Sequence, residues 1–333
     1  MSEEPLSVKR HMRFWRRHLA MLPAAYTRAD EQRMTLAYFC LSALDLIESE
    51  DAALSDEERA AYRDWVYAQQ LSASNGGGFR GSPVAKYSHL TMSYTALLVL
   101  CILRDDFARL DREALRIHVR GLQQADGSFC AAQGSRERDV RFSYCAIAIA
   151  YMLNDWDILD LDRAVAFLLS CQHYEGAFGQ EPGLESHGGS TYCVIASLAL
   201  AGRLGCVPRC AALKRWILQR QTCQGGFQGR VEKDADTCYS FWCGASAAIL
   251  GCHGQINGAA DVQWILSAES PMGGIAKVPG EFPDVLHSYL SYVALSLHVA
   301  DQSAALPLAH VDAALNLSHA SLAWLQTRLW QVQ

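Results

Sequence analysis

Two kinds of segment alternate along the chain. One carries apolar residues on a single face at helical spacing, with charges opposite, as in residues 161–172 and 211–221. The other is apolar or small nearly all round, as in residues 35–47, 190–201 and 241–250. A helix with no polar face has to be buried on every side, and the one-sided helices are the natural cover for it. Between the two kinds lies a turn with a fixed signature. Gln123-x-x-x-Gly127-x-Phe129, Gln172-x-x-x-Gly176-x-Phe178 and Gln221-x-x-x-Gly225-x-Phe227 follow one another at 49-residue spacing. Glu269-x-x-x-Gly273-x-Ile275 is a degenerate copy 48 residues on, and Gln70 to Gly77-Gly78-Phe79 is an expanded copy upstream. After each turn an aromatic opens the apolar run: Tyr94, Tyr144, Tyr192, Tyr239 and Tyr289. Strand-like alternation is nearly absent.

Polar outer helices alternating with buried inner ones specify two concentric rings. Residues 35–47 add a further inner helix, with residues 57–70 and 8–20 as outer partners. The pattern therefore predicts an all-α fold, a single α/α toroid of about six hairpins over residues 1–333 with a repeat of about 49 residues. The competing arrangement is an open solenoid, which would keep polar capping repeats at its ends. In a closed ring the inner helices run the same way, so their N-termini converge at one mouth. Helix N-termini carry free N–H groups and roughly half a positive charge each, which favours anions there.

Composition narrows the functional classes. The chain has 333 residues, 50% of them hydrophobic, and a formal net charge of −6. That apolar content excludes a disordered chain, and the lack of basic excess argues against nucleic acid as a partner. The longest apolar runs, residues 91–103 and 142–153, fall short of the ~20 residues of a bilayer span, so an integral membrane protein is not expected. Acidic then basic residues at the start, with no apolar stretch behind them, fit a cytoplasmic protein. The twelve cysteines include no CxxC pair, and several lie in apolar runs. Buried free thiols are expected of eleven of them, with Cys238 as the exception.

Cys238 stands out because of its neighbours. Asp236, Cys238 and His287 come from two consecutive hairpins at the same mouth. They offer a carboxylate, a thiolate and an imidazole, and three protein ligands with a fourth position open is the pattern of a catalytic zinc site. Read singly, Asp236 suits an N-cap, Cys238 a core thiol and His287 a helix start. Residues i and i+2 of a regular helix also point apart, an objection that a non-helical cap at Asp236 would remove.

The string Gly226-Phe227-x-Gly229-Arg230-x-x-Lys233-x-x-Asp236-x-Cys238-Tyr239-Ser240-Phe241-Trp242 and the string Glu185-Ser186-His187-Gly188-Gly189-Ser190-Thr191 resemble the β subunits of protein prenyltransferases. The likeness runs from about residue 10 to residue 318. It implies an α/α barrel that transfers an isoprenoid from its diphosphate to a cysteine near the C-terminus of a protein. Asp236, Cys238 and His287 match the family's zinc ligands, with Asp284 as a supporting partner of His287. His187, Arg230, Lys233 and Tyr239 match its diphosphate-binding residues. Glu232 stands where relatives usually have Asn.

The resemblance is finer than the family. Lys277 occupies the place of an Asp that holds Mg²⁺ in the farnesyl-transferring members, as in type I geranylgeranyl enzymes, so Zn²⁺ without Mg²⁺ is expected. Thr35 replaces a bulky Trp at the base of the lipid funnel, which implies geranylgeranyl diphosphate, a C20 donor. Trp242, with Tyr144, Tyr192 and Tyr289, is a candidate for the funnel wall. Arg141-Phe142 is similar to a family motif beside the peptide substrate, and Phe142, Leu286 and His89 resemble the pocket for the last residue of a C-terminal CaaX motif, typically Leu. The implied partners are a prenyltransferase α subunit and CaaX proteins such as Rho- and Rac-type small GTPases. Other readings are a farnesyltransferase or Rab-modifying β subunit, a terpene cyclase and a non-catalytic toroid. A cyclase of the squalene type needs Asp-x-Asp-Asp as its acid, and Asp160-Leu161-Asp162-Arg163 lacks the fourth position.

Overall fold

The computed structural model describes residues 6–300 and 306–330. Among them, the inner helices are α2 (Arg33–Leu46), α4 (Leu90–Ile102), α6 (Val140–Leu153), α8 (Gly188–Leu200), α10 (Thr237–Ile249) and α12 (Val285–Ala300). Around these lie α1 (Val8–Ala20), α3 (Asp56–Tyr67), α5 (Arg112–Leu122), α7 (Leu161–Ser170), α9 (Cys210–Leu218) and α11 (Gly258–Ser267). Each inner helix packs on the next, and α12 packs back on α2, so the ring closes and the open solenoid is excluded. The two rings follow from composition. Apart from the small Thr91, every residue of α4 is buried, whereas α5 buries only the stripe Ala114, Leu115, His118, Val119 and Leu122.

The repeat signature has a mechanical meaning that the sequence did not disclose. In each of the five turns the Gln or Glu pairs with the Phe or Ile as an isolated antiparallel bridge, and the four Phe residues and Ile275 are fully buried. The turn glycines have positive φ, 89° at Gly127 and 104° at Gly225. They also abut the next outer helix: a Cβ on Gly127 would lie 2.1 Å from the Arg163 carbonyl oxygen of α7. At Gln123 and Gln221 the glutamine amide clamps the backbone that starts that helix, whereas among the described residues the Gln172 amide bonds only Gly176 O of its own turn. Gln123 Nε2 donates to the Asp160 carbonyl (2.8 Å) and Gln123 Oε1 accepts from the Asp160 N–H (2.7 Å). Gln221 does the same to Asn257, at 3.0 and 2.9 Å.

The degenerate copy turns out to be the seam. Its outer neighbour is α1, from the start of the chain, and Glu269 meets the backbone of the α1 cap, Ser7, and two side chains beyond it. His11 Nε2 lies 3.1 Å and Arg10 Nη2 3.4 Å from Glu269 Oε1. Gly273 presses on the Arg10 carbonyl as its counterparts press on α7 or α11.

Residues 306–330 were not anticipated as a separate element. A two-residue hairpin, β1 (Val311–Asp312) and β2 (Leu317–Ser318), is followed by α13 (His319–Arg328), which packs on α4. The hairpin loop enters the ring axis, where tyrosine hydroxyls donate to its carbonyls. Tyr38 bonds Asn316 O (2.6 Å), Tyr144 bonds Ala314 O (2.8 Å), and Tyr94, Tyr192 and Tyr289 join at 3.3 Å. Three of the four aromatics proposed as funnel wall, Tyr144, Tyr192 and Tyr289, are therefore buried with their hydroxyls on this loop.

Two further expectations need correcting. The sequence places the apolar run of α10 from residue 241, but the helix begins at Thr237, so Cys238 and Tyr239 lie in its first turn and not in a preceding junction. The cysteines are all free, yet Cys206 and Cys223 are exposed and Cys210 half-buried, because they fall in loops and at a helix start on the outer ring. Among the described residues no helix is long and apolar enough to cross a membrane.

Candidate active site

From α4 to α12, every inner helix starts on a His or Asp whose side chain accepts a backbone N–H of the first turn. The caps are His89, Asp139, His187, Asp236 and Asp284. Because these helices run in parallel, their caps and first turns face one mouth. Ten of the fourteen site residues singled out from the sequence fall on this register, the others being Arg230, Lys233, Trp242 and Lys277. Arg141 and Phe142 are the second and third residues of α6, Cys238 and Tyr239 those of α10, Leu286 and His287 those of α12, and Thr35 is the third of α2.

Asp236, Cys238 and His287 come together, with ligand-type atoms all within 4.8 Å of one another. The cap geometry of Asp236, φ −144° and ψ 132°, turns its carboxylate back over the helix start, which removes the objection from i, i+2 spacing. His287 Nε2 lies 3.4 Å from Asp236 Oδ1, while its Nδ1 lies 2.6 Å from Asp284 Oδ2. Asp284 thus fixes the ring and leaves Nε2 aimed at the cluster. Burial alone would lower the imidazole pKa, but the two carboxylates push it up to about 9. Burial works against the Asp236 carboxylate too, and His287 and Cys238 hold it below its usual range. Burial and then the Asp236 charge push the Cys238 thiol far up. Such a surplus of negative charge around one small space is what a divalent cation neutralises, and the mixed O, S and N donors suit zinc better than Mg²⁺ or Ca²⁺.

A cleft of about 370 Å³ adjoins the cluster, lined by Arg230, Lys233, Asp236, Tyr239, Lys277 and neighbours. Lys233 and Lys277 are exposed and make no ion pair among the described residues. Lys277 is tied to α10 through its backbone, whose carbonyl accepts the Thr237 N–H at 3.0 Å. Arg230 is bound to Glu185 across the rim, an exposed pair that a stronger anion could displace. The Tyr239 hydroxyl lies 2.9 Å from His187 Nε2. Burial lowers the His187 pKa, with Arg230 adding to the effect.

The remaining candidates divide. His89 and Phe142 meet edge to face at 5.8 Å, with the Arg141 guanidinium 5.2 Å above the Phe142 ring. Leu286, 38% exposed, lies across the mouth on α12. Trp242 is half-buried against Tyr192 at 5.2 Å, and the Thr35 hydroxyl lies 3.5 Å from Met92 Sδ, so both stand on the inner wall.

Sequence reasoning passed over two sets of supporting residues. Asp139 is buried and grips Arg141 through both carboxylate oxygens, at 3.0 and 2.7 Å, while Gln180 donates to it at 2.8 Å. Its cap position before Arg141-Phe142 was the available signal. Gly229 and Gly188 make room for Tyr239: a Cβ on Gly229 would lie 2.1 Å from the Tyr239 Cζ, and one on Gly188 3.1 Å from its ring. The tyrosine pattern also needs revising. Counted from the caps, Tyr94, Tyr144, Tyr192 and Tyr289 are fifth residues, and the fifth residue of α10 is Phe241. Tyr239 sits two residues earlier, about 200° round the helix, and so faces the cleft.

Comparison with known proteins agrees with this geometry. Residues 6–317 match the family model described as the prenyltransferase alpha-alpha toroid domain. The chain is 38% identical to the geranylgeranyl transferase type-1 subunit beta of Arabidopsis thaliana over 86% of its own length and 84% of the relative's. It is 37% identical to the subunit of that name from Dictyostelium discoideum, over 85% and 88%. Among solved structures, Candida albicans protein geranylgeranyltransferase-I complexed with GGPP superposes with a TM-score of 0.88 at 25% identity, covering 97% of this chain and 99% of that one.

Proposed function

Since the chain belongs to the prenyltransferase alpha-alpha toroid family, we propose that it is the catalytic β subunit of a type I protein geranylgeranyltransferase. It transfers a C20 group from geranylgeranyl diphosphate to the cysteine of C-terminal CaaX proteins, in a cytoplasmic heterodimer with a prenyltransferase α subunit. The observation that carries the reading is the adjacency of the Asp236–Cys238–His287 cluster and the cleft that gathers Arg230, Lys233 and Lys277, with Asp236 on both and Asp234 and Glu281 as the other acidic residues of its lining.

Asp236, Cys238 and His287 would hold one zinc ion, which when bound lowers the pKa of a substrate thiol at its open position. The thiolate sulfur forms a bond to C1 of the isoprenoid, and the C1–O bond breaks with its electrons leaving on diphosphate. Charge grows on that leaving group, and Lys277, Lys233 and the Tyr239 hydroxyl line the cleft that receives it. Two ammonium groups can do the work of a divalent ion there, which is the basis for expecting no Mg²⁺ requirement. Aliphatic and aromatic walls at Thr35 and Trp242 suit the lipid, and the His89–Phe142 pair with Arg141 suits the peptide end.

The test is a transfer assay on the purified heterodimer. Peptides ending in Cys-a-a-Leu or Cys-a-a-Ser are offered C20 or C15 diphosphate, with and without Mg²⁺. C20 transfer to the Leu peptide, unaffected by removing Mg²⁺, is expected. Preference for C15, or a strict Mg²⁺ requirement with zinc saturated, would point to the farnesyl reading.

A further inference from the structure

One repeated backbone bond stitches the inner ring together. From α2 to α10, an N–H at the start of each inner helix donates to a carbonyl in the loop that leads into the next one. Met34 of α2 donates to Gly81 O (3.0 Å), Leu90 of α4 to Ala131 O (2.8 Å) and Val140 of α6 to Gln180 O (3.2 Å). Gly188 of α8 donates to Gly229 O (2.8 Å) and Thr237 of α10 to Lys277 O (3.0 Å). The seam breaks this pattern. There the segment leading into α2 is a 3₁₀ stretch, Ala24–Gln32, and not a glycine turn. A side chain of that stretch takes the place of the carbonyl: the Val285 N–H of α12 donates to the Tyr26 hydroxyl at 3.0 Å.

The exception falls beside the metal cluster. Val285 directly follows Asp284 and stands two residues before His287. Asp284 Oδ1 accepts the next two N–H groups, those of Leu286 and His287, both at 2.9 Å, while its Oδ2 lies 2.6 Å from His287 Nδ1. Tyr26 and Asp284 therefore share the first three N–H groups of α12, which helix geometry leaves without partners inside the helix. The Tyr26 ring is half-buried and stands edge to face with His18 at 5.9 Å, which limits where its hydroxyl can lie. We infer that Tyr26 is a positioning residue for the metal site. It fixes the start of α12, and through it the approach of His287 Nε2 to Asp236 and Cys238. The inference rests on the zinc reading of that cluster. At the other joints the acceptor is main chain and survives a change of side chain, whereas this joint is lost with one oxygen atom.

Metal affinity tests it, measured on the purified heterodimer after removal of bound metal. Zinc is returned in competition with a chromophoric chelator, and cobalt(II) in place of zinc reports the ligand geometry through its visible absorption. Tyr26→Phe should weaken zinc binding by about 3- to 10-fold, the range of one hydrogen bond between neutral groups, and should shift the cobalt bands. Tyr144→Phe is the control, because it also deletes a hydroxyl that bonds the main chain, but at the ring axis. Zinc affinity and cobalt spectrum should stay as in wild type there. Unchanged zinc affinity in Tyr26→Phe, or cobalt bands identical to those of wild type, would overturn the inference. An equal loss of zinc affinity in Tyr144→Phe would overturn it too, by tracing the effect to a general loosening of the ring. Absence of stoichiometric zinc binding by the unmutated heterodimer would instead count against the zinc reading itself.

Discussion

The third and fifth residues of the same inner helices do opposite kinds of work. Third residues, and the second residues and caps beside them, face the mouth: Tyr239 and His287 belong to this layer, with Cys238, Asp236 and Asp284. Four fifth residues, Tyr94, Tyr144, Tyr192 and Tyr289, face the axis, where their hydroxyls bind the loop at residues 314–316. The outer layer crowds charges into a region where helix N-termini leave donors free. The inner layer pairs each phenol with a carbonyl or a neighbouring phenol, as Tyr94 with Tyr144 at 2.9 Å. Unpaired groups suit binding and charge stabilisation, and paired buried groups suit rigidity. Changes to the mouth should therefore affect transfer with little loss of stability, and changes at the axis should do the reverse.

The largest effect is expected at the metal cluster. Cys238→Ala should cut transfer by about 1,000-fold or more, because two ligands hold zinc poorly, while far-UV circular dichroism and Tm stay close to wild type. Asp284→Ala removes the partner of His287 Nδ1 together with the side-chain cap of α12, and should weaken zinc binding by about 10–100-fold, measured by competition with a chromophoric chelator, with about 0.5–2 kcal/mol of stability lost from the cap. Thr35→Trp fills the inner wall near Met92 and should move the C20-to-C15 preference by about 10-fold or more toward C15. An unchanged preference would remove Thr35 from the account of chain length.

The axis is probed by Tyr144→Phe, which deletes a hydroxyl bonded to Ala314 O at 2.8 Å and to Tyr94. A loss of about 1–2 kcal/mol in stability is expected, with transfer within about 2-fold of wild type. A large fall in transfer at intact stability would place this layer in the chemistry and erase the contrast. The smallest effect concerns His118, buried on α5 beneath the first turn, where burial lowers its pKa to about 4. The folded ring stays neutral where the unfolded one, near 6.5, takes a proton. Stability is thus unaffected above pH 6.5 and falls as the pH drops toward 4, by about 1 kcal/mol at pH 5.5. His118→Phe should flatten that limb in urea titrations.

Much of this architecture was legible in the sequence, because the repeat obliges each hairpin to place the same positions at the same end. Asp236, Cys238 and His287 could be brought together without a structure for that reason. Glu269 looked like decay of the motif, since its partners Arg10 and His11 are more than 250 residues away. Residues 306–330 carry no repeat signature, and only their tertiary contacts reveal that their loop fills the axis. Tyr239 was aligned with the other tyrosines by residue type. Counting from the cap places Phe241 there and releases Tyr239 for the cleft. Cys206, Cys210 and Cys223 were judged by the company of the other cysteines, whereas exposure depends on which side of the outer ring a loop takes.

The central claim is that the mouth cluster holds the ion on which transfer depends. Zinc content and C20 transfer, measured on one heterodimer preparation through chelation and stepwise return of zinc, test it most directly. The account predicts one functional zinc per β chain, with transfer rising in proportion to occupancy and Mg²⁺ unable to substitute. Full transfer by the zinc-depleted heterodimer, or undiminished zinc content in a Cys238→Ala preparation, would contradict it.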